Sequence, residues 1–251
     1  MTRQGVDVSR WQGDIDWEQV KASGIDFVIV KAGGSDAGFY TDKYFEKNYA
    51  GAKAAGLMVG AYYFVGKYCI SALDGSADAQ RFLKICEGKT FDLPLFIDIE
   101  TTPFDRKRGA TDAVIAFCDV IEKAGYMSGV YASKTSGFAD RLEDHRLSNI
   151  IHWVAQYNDK CTYKGHYMIW QKTSKGRVPG INGNVDLDEL YDNQLTNEND
   201  DDNIRYKKVT KAIVNAVIRG DYGNGKERKQ RLTEAGYDYA AVQKAVNKAL
   251  S

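Results

Sequence analysis

The 251-residue sequence predicts an α/β protein: a barrel of about five βα units and roughly three bare strands, then a small all-helical module. Three observations predict it. From Gly5 to Ala132, runs rich in β-branched and aromatic residues alternate with helical patterns closed by glycine. After Ile150, short strand-like runs follow one another with loops and no helices between them. Past residue 206 only helical patterns remain. The alternation is shared by parallel barrels and doubly wound sheets, and strand order cannot be read from it.

Taken in order, Gly5-Val6-Asp7-Val8-Ser9-Arg10-Trp11-Gln12-Gly13 is a short alternating strand that ends in polar residues and glycine. Residues 14–24 read as a capped helix with a terminating glycine. Residues 27–32 form the next buried strand. Over 42–55, Tyr44, Phe45, Tyr49 and Ala52 recur at helical spacing before Gly56. Residues 57–64 are strand, 76–87 helix, 111–124 helix ending at Gly125, and 127–132 strand. The bare strands are 152–157, 167–171 and 185–190.

The chain is organised around Leu93-Pro94-Leu95-Phe96-Ile97-Asp98-Ile99-Glu100, an apolar run cut off by two carboxylates. Its length and composition suit a strand buried on both faces. Side chains alternate, so Phe96, Asp98 and Glu100 share one face, with the two acidic Cα atoms roughly 6.6 Å apart. Sites in α/β folds are built at this C-terminal end. Two close carboxylates against an apolar wall cannot both ionise freely, so one of them is expected to hold its proton like a general acid. Acidic residues after a strand can also simply open a polar loop, and the spacing alone leaves both readings standing.

Composition narrows the class. Apolar residues make up 43% and aromatics 12% of the chain, enough to bury a substantial core. No apolar run approaches the ~18 residues of a membrane span. The formal charge of zero hides an asymmetry: ten of the 34 basic but only four of the 34 acidic residues lie in 207–251. That is a balance of +6, against −6 on residues 1–206. A basic tail on an acidic body suits an anionic partner, or a solvated basic face. The four cysteines show no paired spacing, and His145, His152 and His166 form no ligand set, so neither a disulfide framework nor a metal site is indicated.

Residues 193–206 are acidic and amide-rich, with almost nothing to bury, and read as a flexible linker. A coil of that length spans on the order of 20 Å. Beyond it, Val209, Ile213, Val214, Val217 and Ile218 form a helical stripe. The glycine-rich loop 220–225 and two further short helices follow. The expected units are thus 1–192, the linker 193–206, and a helical module over 207–251.

The residues also resemble a known family. Eight blocks carry the resemblance in order: 5–13, 27–32, Gly60-Ala61-Tyr62-Tyr63-Phe64, Asp98-Ile99-Glu100, Gly129-Val130-Tyr131, Trp153-Val154-Ala155-Gln156-Tyr157, Ile169-Trp170-Gln171 and Val185-Asp186-Leu187-Asp188. Together they resemble glycoside hydrolase family 25, the lysozymes or muramidases found in many bacteriophage endolysins. The family implies an irregular TIM-like (β/α)5(β)3 barrel and cleavage of the β-1,4 bond from N-acetylmuramic acid to N-acetylglucosamine. It also implies Glu100 as general acid, with Asp98 beside it orienting the substrate's N-acetyl group as internal nucleophile; direct attack by a carboxylate or water is the competing account. Asp7 and Asp186 match two further acidic positions, and Asp188 is the alternative to Asp186. Lys31, Tyr62, Tyr131, Trp170 and Gln171 are the expected substrate contacts. Tyr63 departs from the family, where histidine is frequent.

Residues 217–239 resemble the cell-wall-binding repeat of choline-independent pneumococcal-phage-type lysozymes, a three-helix bundle that binds the muropeptide. One copy is visible, with Arg219, Asp221 and Tyr237 as candidate wall contacts. The resemblance implies a bacteriolytic enzyme without cofactor, acting on peptidoglycan, with no nucleic-acid partner and no membrane insertion; a monomer is compatible with the sequence, which does not encode the oligomeric state. Residues 1–6 lack an apolar signal region. Synthesis in a host cytoplasm is therefore expected, with access to the wall through holin-type export or lysis. A chitinase-like hydrolase and an inactive cell-wall lectin are the competing functions.

Overall fold

The computed structural model describes residues 2–191, 209–237 and 239–250. They belong to two compact units, one within Met1–Asn197 and the other within Glu198–Ser251. The predicted linker lies outside the described residues.

The first unit is a closed barrel. Its strands are β1 (Thr2–Val8), β2 (Phe27–Gly34), β3 (Tyr40–Thr41), β4 (Met58–Phe64), β5 (Leu95–Asp98), β6 (Ser128–Ser133), β7 (Ile151–Ala155), β8 (Ile169–Gly176) and β9 (Val185–Tyr191). The sheet order is β1-β9-β8-β7-β6-β5-β4-β2-β3, and β1 also pairs with β2, which closes the ring and leaves β3 as a flap on β2. Within the ring, neighbours from β1 through β2 and β4 to β8 are parallel, whereas β9 runs antiparallel to both β8 and β1, and the flap β3 is antiparallel to β2.

Helices α1 (Trp17–Ala22), α2 (Phe45–Ala54), α3 (Ala72–Ile85) and α4 (Lys107–Lys123) follow the early strands. Their starts are chemically marked. Asp16 accepts from the Gln19 amide at 3.1 Å, and Ser71 accepts from the Asp74 amide at 3.2 Å. Gly24, Gly56 and Gly125 sit just past α1, α2 and α4 at φ of 91°, 73° and 88°, left-handed values that cost glycine little. After β6 the expected fifth helix is reduced to a π-helical turn, Lys134–Ala139, with the Ser133 hydroxyl accepting from the Gly137 amide at 3.0 Å. The late strands are bare, as expected.

Period-two alternation divides each strand between two cores. Val28 and Val30 of β2, and Leu95 and Ile97 of β5, face outward into the large cluster under the helices, with Phe45, Phe82 and Phe117. Phe27 and Ile29, with Phe96, Trp153 and Leu190, fill the interior of the barrel. The interior accepts such rings because the neighbouring strands carry glycine at the paired positions. A Cβ on Gly5 would collide with the Phe27 ring, and one on Gly129 with Phe96.

The second unit contains α5 (Lys211–Arg219), α6 (Gly225–Glu234) and α7 (Tyr239–Leu250). Val214, Val217, Leu232, Val242 and Val246 form its small core.

Candidate active site

The inward-facing positions that bury Phe27, Ile29 and Phe96 continue along the same strands to polar residues at their C-terminal ends. Asp7, Lys31, Tyr62, Asp98 and Tyr131 thereby meet around a cavity of about 330 Å³. Glu100 borders it from a bend two residues past β5, so the Asp98–Glu100 pair straddles the strand end. β9 contributes from its beginning. Because it is antiparallel, Asp186 pairs directly with Asp7 and lines the same cavity.

The polar network is specific. Gln171 donates Nε2–H to Asp7 at 2.7 Å, while its Oε1 accepts from the Tyr131 hydroxyl at 2.9 Å and the Tyr157 hydroxyl at 3.0 Å. Trp153 packs against Tyr131 at 4.4 Å between centroids and edge-on to Tyr62 at 6.0 Å. Its indole N–H donates to Asp188 at 2.8 Å. Lys31 makes no ion pair among the described residues. Its ammonium lies 4.4 Å from the Phe64 ring centroid and 5.6 Å from that of Tyr62.

Burial dominates the electrostatics. The Asp98 carboxyl is pushed well above the ordinary carboxylate range by burial and then by Glu100, with Lys31 pulling it back. Its Oδ1 is buried and has no hydrogen-bond partner. Asp7 is raised by burial and by Asp188 and Asp186, against the Gln171 hydrogen bond. Asp186 is lifted to about 6 by burial, with Asp7 opposing the rise and Glu100 adding a smaller push. Of the DxE pair, then, Asp98 is the buried carboxyl driven towards its neutral form, and Glu100 is the exposed one.

Not every expected contact lies here. Trp170 faces away from the cavity, 5% exposed, with its indole N–H on the Gln156 carbonyl at 2.7 Å. Trp153, from the neighbouring strand, lines the cavity instead. Gln171 lines it as expected. Ser9, Trp11, Tyr157 and Ser174 were not singled out and also border it; all but Ser174 lie in connections after strands, where no periodicity marks orientation. In the second unit, Arg219 and Asp221 form an exposed ion pair at 2.9 Å, and Tyr237 packs on the helical core.

A larger depression of about 720 Å³ opens outside the barrel beside Phe138, Leu142 and Tyr163. Its carboxylates are engaged, Glu143 by Arg146 at 2.7 Å and Asp144 by the Tyr163 hydroxyl at 2.7 Å. The concentration of perturbed acids lies in the smaller cavity.

Residues 6–181 match the glycosyl hydrolases family 25 profile, well over half the chain. The chain belongs to that family. Residues 211–250 match the CW_7 repeat, which coincides with the three-helix unit. An autolytic lysozyme of Clostridium acetobutylicum is 31% identical over 193 residues, covering 76% of this chain and 57% of that protein. A family 25 glycosyl hydrolase from Bacillus anthracis superposes with a TM-score of 0.65 at 27% identity, covering 75% of this chain and 88% of the other. The modular autolysin LytC of Streptococcus pneumoniae gives 0.67 at 24% identity, a likeness of fold, over 76% of this chain and 47% of its own. The chain thus spans about half the length of the relatives represented by the autolytic lysozyme and LytC. Among the described residues no helix is long and apolar enough to cross a membrane.

Proposed function

We propose that this chain hydrolyses peptidoglycan at the β-1,4 bond from N-acetylmuramic acid to N-acetylglucosamine. The observation that carries the proposal is the meeting of Asp7, Asp98, Glu100 and Asp186 at one ring-walled cavity in a family 25 barrel. Glu100, at the exposed edge, protonates the glycosidic oxygen as the bond to the anomeric carbon breaks. The oxygen of the substrate's N-acetyl group closes on that carbon, and Asp98 Oδ1 accepts the amide N–H. Water then opens the cyclic intermediate, giving its proton to Glu100. Asp7 and Asp186 favour the positive charge that develops at the reacting carbon.

The rim suits a polymer. Trp11, Phe39, Tyr68, Phe104 and Tyr157 are the exposed aromatic side chains among the described barrel residues, and each follows the C-terminal end of a different strand. Aromatic faces pack on the C–H faces of sugars. Arginines lie 3.3 Å from the Phe39 centroid, 4.1 Å from that of Phe104 and 4.8 Å from that of Trp11, next to where carboxylates of a muramyl strand would pass. Mass spectrometry of fragments released from purified peptidoglycan tests the reading. Reducing-end N-acetylmuramic acid is expected; reducing-end N-acetylglucosamine, or cleavage of chitin alone, contradicts it.

The CW_7 unit is proposed to hold the enzyme on the wall, since tethering raises effective substrate concentration without altering the chemistry. Truncation after Asp192 should weaken sedimentation with whole walls and slow their lysis, while short soluble glycan fragments are cleaved at nearly the full-length rate. Equal binding and clearance by the truncated chain would mean that the tail is no anchor.

A further inference from the structure

One carboxyl at the site has no part in the chemistry above. Asp188 lies two residues along β9 from Asp186, fully buried, beneath the cavity and not on its lining. Its Oδ1 accepts the Trp153 indole N–H at 2.8 Å, and its Oδ2 is buried with no partner. Its register partner on β1 is Gly5, which offers no side chain. Asp7, two residues along β1 from Gly5 and paired with Asp186, is the diagonal neighbour of Asp188 on the same face of the sheet. Gln171 gives Asp7 one hydrogen bond, to Oδ2, and its oxygen accepts from Tyr131 and Tyr157. The nearest cation, Lys172 on β8, is held by Glu189 and Gln4, each at 2.9 Å.

Two buried carboxyls in contact, without a cation between them, cannot both be anions. A carboxyl oxygen that meets no donor but faces another carboxyl is satisfied when it carries a proton and donates it. We infer that Asp188 is a positioning residue that works as a neutral acid: Oδ2–H donates to Asp7, and Oδ1 pins the Trp153 indole. On that arrangement Asp188 keeps the negative charge on Asp7, nearer the cavity, and holds the cavity's buried indole in place. Burial agrees with it, since the Asp188 carboxyl is pushed up to about 8, with Asp186 adding to the rise and Trp153, Asp7 and Lys172 opposing it.

The inference rests on the proposed glycan hydrolysis for its kinetic arm, but its stability arm is independent of any substrate. Asp188→Asn preserves both contacts, since the carboxamide oxygen can accept from Trp153 and its NH2 can donate to Asp7, and it cannot ionise. Its kcat/KM should stay within about threefold of wild type at acidic pH, and the ratio of variant to wild-type kcat/KM should rise towards and above pH 8, where only wild type also loses the Asp188 proton. Asp188→Leu, similar in size but without either hydrogen bond, should lose about tenfold or more at every pH, with altered Trp fluorescence.

In thermal unfolding the sign is fixed by linkage. An acid whose folded pKa lies above its unfolded one contributes stability that is lost as pH rises from about 4 to about 8. Asp188→Asn should therefore show a shallower fall of Tm across that window than wild type. A Tm slope identical to wild type overturns the inference, as does an Asn variant that folds but is as inactive as the Leu variant at all pH values. Failure of both proteins to release glycan fragments, with the Tm difference present, would instead count against the hydrolase reading alone.

Discussion

Glu100→Gln should lower turnover on peptidoglycan by about 10²–10⁴-fold, the range for loss of a general acid. Glutamine keeps the size of the side chain but has no proton to give to the departing oxygen and no lone pair basic enough to activate water. Glu100 is exposed, beyond the end of β5, so the substitution disturbs no core contact and Tm should hardly move. KM should change little if the loss is confined to the transition state. The deficit should also shrink on substrates whose leaving group needs no proton, such as aryl glycosides of acidic phenols. Sedimentation with walls should persist. Near-normal turnover on peptidoglycan would remove Glu100 from the role.

Asp98→Asn should cost a comparable factor, about 10²–10³-fold, if the carboxylate orients the substrate amide. The reason is local. Asp98 Oδ1 is buried at the cavity without a partner, an arrangement that costs stability unless a ligand donor completes it. Asparagine cannot become an anion when the substrate amide N–H meets it, and so cannot stabilise the cyclic intermediate. A loss of activity through misfolding is separable from this. Burial has pushed the Asp98 carboxyl upward, so replacing it should leave Tm near neutral pH unchanged or higher. Glycans lacking the N-acetyl group at the cleaved sugar should already be poor substrates for wild type, and Asp98→Asn should add little further loss on them. Efficient cleavage of such glycans by wild type would favour direct attack by a carboxylate or water.

Much of the site was legible because its signals are local. Alternation along residues 93–100 separates Phe96 and Asp98 from Leu95 and Ile97, and the structure keeps that division, interior against outer core. The helices ended where glycine was available to take left-handed backbone. Loop residues were not legible in this way. Trp11 and Tyr157 border the cavity from connections that have no period to read.

The sequence by itself determined the order of the main elements, the face that Phe96 and Asp98 share and the separation of barrel from helical tail, because period, capping and composition act over a few residues. Only the tertiary structure decided which tryptophan reaches the cavity. Trp153 and Trp170 have the same chemistry and similar neighbours, and strand pairing alone turns one inward and the other outward. It also decided the company of the acids. Asp186 joins Asp7 because β9 closes the ring antiparallel, bringing together residues 179 positions apart in the chain. The upward push on the Asp98, Asp186 and Asp188 carboxyls follows from burial among groups on other strands. Those interactions exist only once long-range pairing has excluded water, and no local pattern encodes them.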